Sequence, residues 1–126
     1  MKPYKIEVKP SLGRGRGVFA IQPISRDELI ESCPVIRFEP RNTAVLEATP
    51  LHDYLYSWSN DYREVAIALG YGSLYNHSYQ PNSRYDDDAA AQMIFTAIRD
   101  IAADEEITIN YNGAPGQKGE VGFPVI

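Results

Sequence analysis

A chain of 126 residues can form one hydrophobic core but not two. With 44% hydrophobic and 23% charged residues, nine Gly and nine Pro, it reads as a turn-rich globular domain and not a disordered chain. A net charge of −5 weighs against direct nucleic-acid binding, which needs Lys and Arg to neutralise phosphates, and favours a basic partner.

No apolar run approaches the ~18 residues that span a bilayer. The stretch "MKPYKIEVKP" lacks the apolar centre of a signal peptide, so the expectation is an intracellular, soluble protein without membrane contact. Cys33 is alone, which excludes an intrachain disulfide and a structural zinc site of several cysteines. Its setting, "LIESCPVIRF", predicts a buried structural thiol.

In chain order, "YKIEV" alternates apolar residues as a strand does, and "GVFAI" and "ELIESCPVIRF" follow as strands across the turn "QPISRD". "NTAVLEA" predicts a short helix capped by Asn42 or Thr43 and stopped by Pro50. "YLYSW" and "EVAIAL" read as a hairpin over "SNDY". "AQMIFTAI" and "EEITINY" are two further strands joined by "RDIAADE", while Asp86 to Asp88 read as a solvated turn. Short strands with hardly any helix imply a mainly β fold.

Four stretches carry polar or aromatic chemistry. "GRGRGVFA" places Gly at 13, 15 and 17, suited to positive φ and close backbone approach. It lacks the helix of a dinucleotide fingerprint and the Lys-Ser/Thr of a phosphate loop, and a Gly-rich turn into a buried strand also accounts for it. In "NHSYQPN", His77 has only His52 as a second histidine, so no metal set forms, and no triad pattern accompanies it; a satisfied, partly buried His is the simpler reading. In "EEITINY", Tyr111 closes an alternating strand and by default is a core or interface Tyr. In "DYLYSW", spacing of two puts Tyr54, Tyr56 and Trp58 on one face, which serves either a core or a channel for an alkyl-ammonium group.

The combination and order of "GRG" with "VFA", then "NHSxxPN", then "EEITINY", from about Leu12 to Tyr111, resemble the SET-domain lysine methyltransferases. The compact length is most similar to the minimal SET proteins of viruses and bacteria, which lack zinc-bearing cysteine modules. The resemblance implies a β-clip of small curved sheets with a C-terminal pseudoknot in which the "NHS" and terminal Tyr segments meet. It implies one domain over residues 1–126, with the tail from 112 to 126 closing the site.

It also implies S-adenosylmethionine as methyl donor, S-adenosylhomocysteine as product and no metal. Arg14, Gly15, Arg16, Gly17, Asn76 and His77 correspond to the cofactor site. There Gly spares space for the cofactor, the Asn76 side chain lies near the methionine portion, and His77 contributes largely its backbone at the adenine. Tyr111 corresponds to the catalytic Tyr, and Tyr54, Tyr85, Ile109 and Phe123 to the channel for the substrate lysine.

Asn112 precedes Gly113 where the family commonly has Gly directly after the Tyr, and Ile109 stands where many members carry Phe or Tyr. The number of methyl groups added is left open. The implied partner is a basic protein carrying the target lysine, a histone tail being one candidate. A homodimer is one way for so small a domain to complete its substrate groove. Location follows the substrate, nuclear for a histone and cytoplasmic in a bacterium. The alternative is a non-catalytic SET-like module that binds cofactor or lysine-rich tails; Tyr111 and Asn76 weigh against it.

Overall fold

The computed structural model describes residues 5–58, 64–88 and 91–121. Nine strands appear among them: β1 (Ile6–Ser11), β2 (Gly15–Ala20), β3 (Leu29–Phe38), β4 (Leu55–Trp58), β5 (Glu64–Ala68), β6 (Asn76–His77), β7 (Ser83–Asp87), β8 (Gln92–Ala97) and β9 (Glu106–Ile109). One short helix, α1 (Thr43–Glu47), lies between two 3-10 turns, Pro40–Asn42 and Pro50–Tyr54. No helix among the described residues is long and apolar enough to cross a membrane.

Alternation decides which face each strand buries. In β8, Met93, Phe95 and Ala97 point inward, and their fully buried side chains join the core, where the ring of Tyr75 stacks on Phe95 at 4.4 Å. β9 differs, because Ile107, Thr108 and Ile109 are all buried: this strand lies inside the molecule with both faces covered. Burying Ile107 and Ile109 fully contributes about 1.5–3 kcal/mol each, enough to hold so short a strand in place. Cys33 is fully buried, and burial next to Glu31 pushes its thiol far above the ordinary range, as a structural cysteine requires.

The strands form two sheets, one of order β1-β2-β9-β6 and one of order β4-β5-β3-β8-β7. In the first, β9 pairs antiparallel with β2 through Val18 opposite Ile107, and parallel with β6 through Asn76 opposite Thr108 and His77 opposite Ile109. The Gly-rich turn, the "NHS" segment and the "EEITINY" strand thus adjoin, although they are far apart in sequence. In the second sheet β3 is shared, pairing with β8 over Leu29–Pro34 and with β5 over Val35–Phe38. That sheet curls until its two outer strands touch, with the rings of Tyr56 on β4 and Tyr85 on β7 centred 5.2 Å apart.

Two readings of the sequence need correction. Asp86 and Asp87 belong to strand β7, where they are exposed on an outer strand, and not to a turn. Tyr54 ends a 3-10 turn, with Thr49 accepting from the Leu51 N–H at its start, so only Tyr56 and Trp58 share a strand face. The "SNDY" turn lies outside the described residues.

Candidate active site

The Gly-rich turn is organised by a carboxylate that sequence reading overlooked. Glu106, at the start of β9, accepts from Ser11 Oγ at 2.7 Å, from Asn76 Nδ2 at 2.6 Å and from Arg14 Nη1 at 3.4 Å. Its Oε2 lies where Gly17 has no side chain: a Cβ there would sit 2.2 Å from that oxygen and 2.7 Å from Asn76 Nδ2. Gly17 therefore makes room for Glu106 and Asn76. Gly15 answers to a different demand, a φ of +76° that L side chains rarely adopt, and the space beside it is open to 4 Å.

Asn76 spends both amide hydrogens, one on Glu106 and one on the Arg16 carbonyl at 3.0 Å. Arg16 itself is exposed. The neighbouring His77 is 3% exposed, and its ring makes a specific bond in which Nδ1 accepts the backbone N–H of Tyr111 at 3.0 Å. That bond requires a neutral ring, and burial together with nearby Arg14 lowers the His77 pKa from its ordinary value. The rings of Tyr79 and Tyr111 pack against it at 4.5 and 5.2 Å. His77 thus holds the Tyr111 backbone through its side chain.

Tyr111 is held at its other end too. Its hydroxyl donates to the carbonyl of Tyr75 at 2.6 Å, and burial pushes its pKa up to about 12, so it stays a neutral phenol near pH 7. The Tyr75 carbonyl is a firm anchor because that side chain is buried, with its hydroxyl donating to Glu31 at 2.7 Å.

Tyr111 also borders a cavity of about 840 Å³ whose wall includes Tyr54, Tyr56, Trp58 and Tyr85. Tyr56 is fixed by donating to the Gly72 carbonyl at 2.7 Å, and Tyr85 reaches the Tyr111 carbonyl at 3.5 Å. Three exposed aspartates, Asp53, Asp86 and Asp87, complete the lining and make the mouth acidic. Asn112, Gly113, Ala114 and Gln117 of the tail form another part of the wall. Buried Asn110 ties that tail down by donating to the carbonyls of Pro115 and Gln117, and Asn112 Nδ2 donates to the Gly119 carbonyl at 2.9 Å. The inserted Asn112 thus serves to fasten the tail.

Ile109 is fully buried in the core, paired with His77, and does not line the cavity. Phe123 lies outside the described residues. Among the described residues no group of three or more His, Cys, Asp or Glu could hold a metal ion.

The SET-domain family model matches residues 15–112. This chain belongs to the SET-domain family. The Histone-lysine N-methyltransferase, H3 lysine-37 specific, of Schizosaccharomyces pombe is 34% identical to it over 108 residues, covering 84% of this chain and 72% of that protein. A crystal structure of a Plasmodium falciparum protein named as a histone methyltransferase superposes with a TM-score of 0.68 at 34% identity, covering 87% of this chain and 95% of that one. The Polycomb Repressive Complex 2 of Chaetomium thermophilum, in a structure bound to S-adenosylmethionine, shares the fold with a TM-score of 0.74. There the identity is 19%, over 87% of this chain and 15% of that one.

This SET domain is a protein-lysine methyltransferase that takes its methyl group from S-adenosylmethionine. The residues of the Gly turn suit such a donor chemically. The open backbone at Gly15 leaves room for a ligand, and with both hydrogens of Nδ2 engaged the Asn76 amide has its Oδ1 to offer an ammonium donor.

Proposed function

We propose that the substrate is a lysine of a histone, admitted through the tyrosine-lined cavity, while Arg14, Gly15, Arg16, Gly17, Asn76 and His77 form the methyl-donor side. The observation that carries this reading is the double attachment of Tyr111. Its backbone is pinned to His77 of the "NHS" segment, and its side chain borders the cavity with Tyr54, Tyr56 and Tyr85. The tail up to Gln117 closes the site, and a histone substrate makes the protein nuclear.

S-adenosylmethionine supplies an electrophilic methyl group on a sulfonium. The chain's own residues supply alignment, which is the main requirement of a one-step displacement. The exposed aspartates draw in the cationic side chain and the basic residues flanking it. Deeper in, the aromatic wall disfavours the ammonium form, so the lysine sheds its proton to solvent before attack. Tyr111, neutral and aimed by its bond to Tyr75, orients the amine and turns its oxygen toward the positive charge that develops. It does not serve as the base near neutral pH, since a phenol whose pKa is pushed up to about 12 keeps its own proton there and offers no phenolate to accept another.

The test is incubation with labelled S-adenosylmethionine and separate core histones, followed by mass spectrometry of each lysine, including the region around lysine 37 of histone H3. Labelled histone lysines support the reading. Labelling confined to other basic proteins overturns the histone assignment, and cofactor binding without transfer to any lysine favours the non-catalytic module. Light scattering of the same preparation decides whether a second copy completes the groove.

A further inference from the structure

Resting on that reading of the methyl-donor side, we propose that Glu106 is a positioning residue. Its carboxylate fixes the Asn76 amide so that the carbonyl end alone faces the amino-acid portion of the cofactor, where it accepts from the α-ammonium. An amide has two chemically opposite ends, and a flip converts an acceptor into a donor. Here the flip is forbidden. Nδ2 is bracketed by two acceptors, the Arg16 carbonyl at 3.0 Å and Glu106 Oε2 at 2.6 Å, and a reversed amide would bring Oδ1 against both oxygens.

The carboxylate is itself immobilised. Ser11 Oγ holds Oε1 at 2.7 Å, Arg14 approaches the same oxygen at 3.4 Å, and the side chain is 16% exposed. The partners come from β1, the Gly turn and β6, so one side chain on β9 ties itself to three elements, the farthest of them 95 positions away in sequence. Gly17 belongs to the same device, because a Cβ there would evict the carboxylate. A fixed acceptor matters for this ligand in particular. Its ammonium and carboxylate lie on one carbon, and an amide free to flip would serve either of them without orienting the methyl group.

Isothermal titration with S-adenosylhomocysteine and with 5′-methylthioadenosine separates positioning from general support, since the second ligand has the same nucleoside and lacks the amino-acid portion. Glu106→Gln, with its fold checked by thermal melting, should weaken S-adenosylhomocysteine about tenfold and leave methylthioadenosine within about twofold. In an Asn76→Ala background the same change should have no further effect, because Glu106 acts through Asn76. Parallel loss of both ligands, no loss of either, or additive effects of the two substitutions overturns the proposal. If the wild-type protein binds neither ligand, the assignment of the methyl-donor side fails first and takes Glu106 with it.

Discussion

Replacing Gly17 by Ala tests the packing of the Gly turn with a single carbon atom. The new Cβ would lie 2.2 Å from Glu106 Oε2 and 2.7 Å from Asn76 Nδ2, distances that no real Cβ sustains, so the carboxylate must withdraw. Withdrawal breaks the 2.6 Å bond to Asn76 and strains the 2.7 Å bond to Ser11. Hydrogen bonds to a charged group contribute about 1.5–3 kcal/mol each, of which water at this partly exposed carboxylate restores a share. Gly17 lies in strand β2 without a positive φ, so Ala gains about 0.4–1 kcal/mol by restricting the unfolded chain. The balance is a loss of about 2 kcal/mol, or a Tm lower by about 5–10 °C.

Denaturant titration and calorimetric melting measure that loss. The decisive arm is a second substitution, Glu106→Asp, which shortens the side chain by one methylene and vacates the contested space. Gly17→Ala with Glu106→Asp should be more stable than Gly17→Ala alone. Gly15→Ala should show no such rescue, because its cost comes from a φ of +76° with open space around it. If Gly17→Ala melts with the wild type, or if Glu106→Asp rescues both glycine variants or neither, the packing assigned to this turn is wrong.

Three other predictions concern the reacting end. Tyr111→Phe should lower kcat by about a hundredfold in steady-state assays, with S-adenosylhomocysteine affinity nearly unchanged; equal loss of both contradicts the role given to the hydroxyl. Stability should follow the neutral form of His77, whose folded pKa lies below its ordinary value. Between those two pKa values the unfolded chain binds the extra proton, so the contribution is complete above about pH 6.5 and is lost as pH falls through the folded pKa. Denaturant titrations from pH 8 to pH 5 should show that slope, and His77→Gln should flatten it. Asp86→Asn combined with Asp87→Asn should raise KM for a Lys- and Arg-rich peptide at low salt while leaving kcat within about twofold, and added salt should erase the difference.

Much of this molecule was legible in the sequence where local pattern and tertiary structure agree. β3, β5 and β8 fall on the apolar stretches that predicted strands, β8 with strict alternation, and the short helix ends before Pro50. β6 escaped notice because two residues have no periodicity, and it exists only through parallel pairing with β9. β7 escaped because "SRYDD" is polar, as an outer strand bordering an acidic cavity mouth can be. Glu106 was hidden for a deeper reason: each of its side-chain partners is at least 30 positions away. One trace was available, since Glu106, Thr108 and Asn110 stand at every second position, on the polar side of the alternation that Ile107 and Ile109 mark. Asn82, read only as a motif marker, proves to be a substitute strand for β9, donating to the Glu106 carbonyl and accepting the Thr108 N–H.

The curl that brings Tyr56 against Tyr85 also bears on solubility. Among the described residues β4 and β7 are the terminal strands of their sheet, and unpaired strand edges invite pairing with other chains. Both edges border the cavity and are clasped across it by the two rings. Trimming those rings to admit a bulkier methylated lysine would loosen that clasp, so variants selected for a roomier pocket should aggregate sooner on storage than the parent. The width of the lysine cavity is thereby coupled to the colloidal life of the protein.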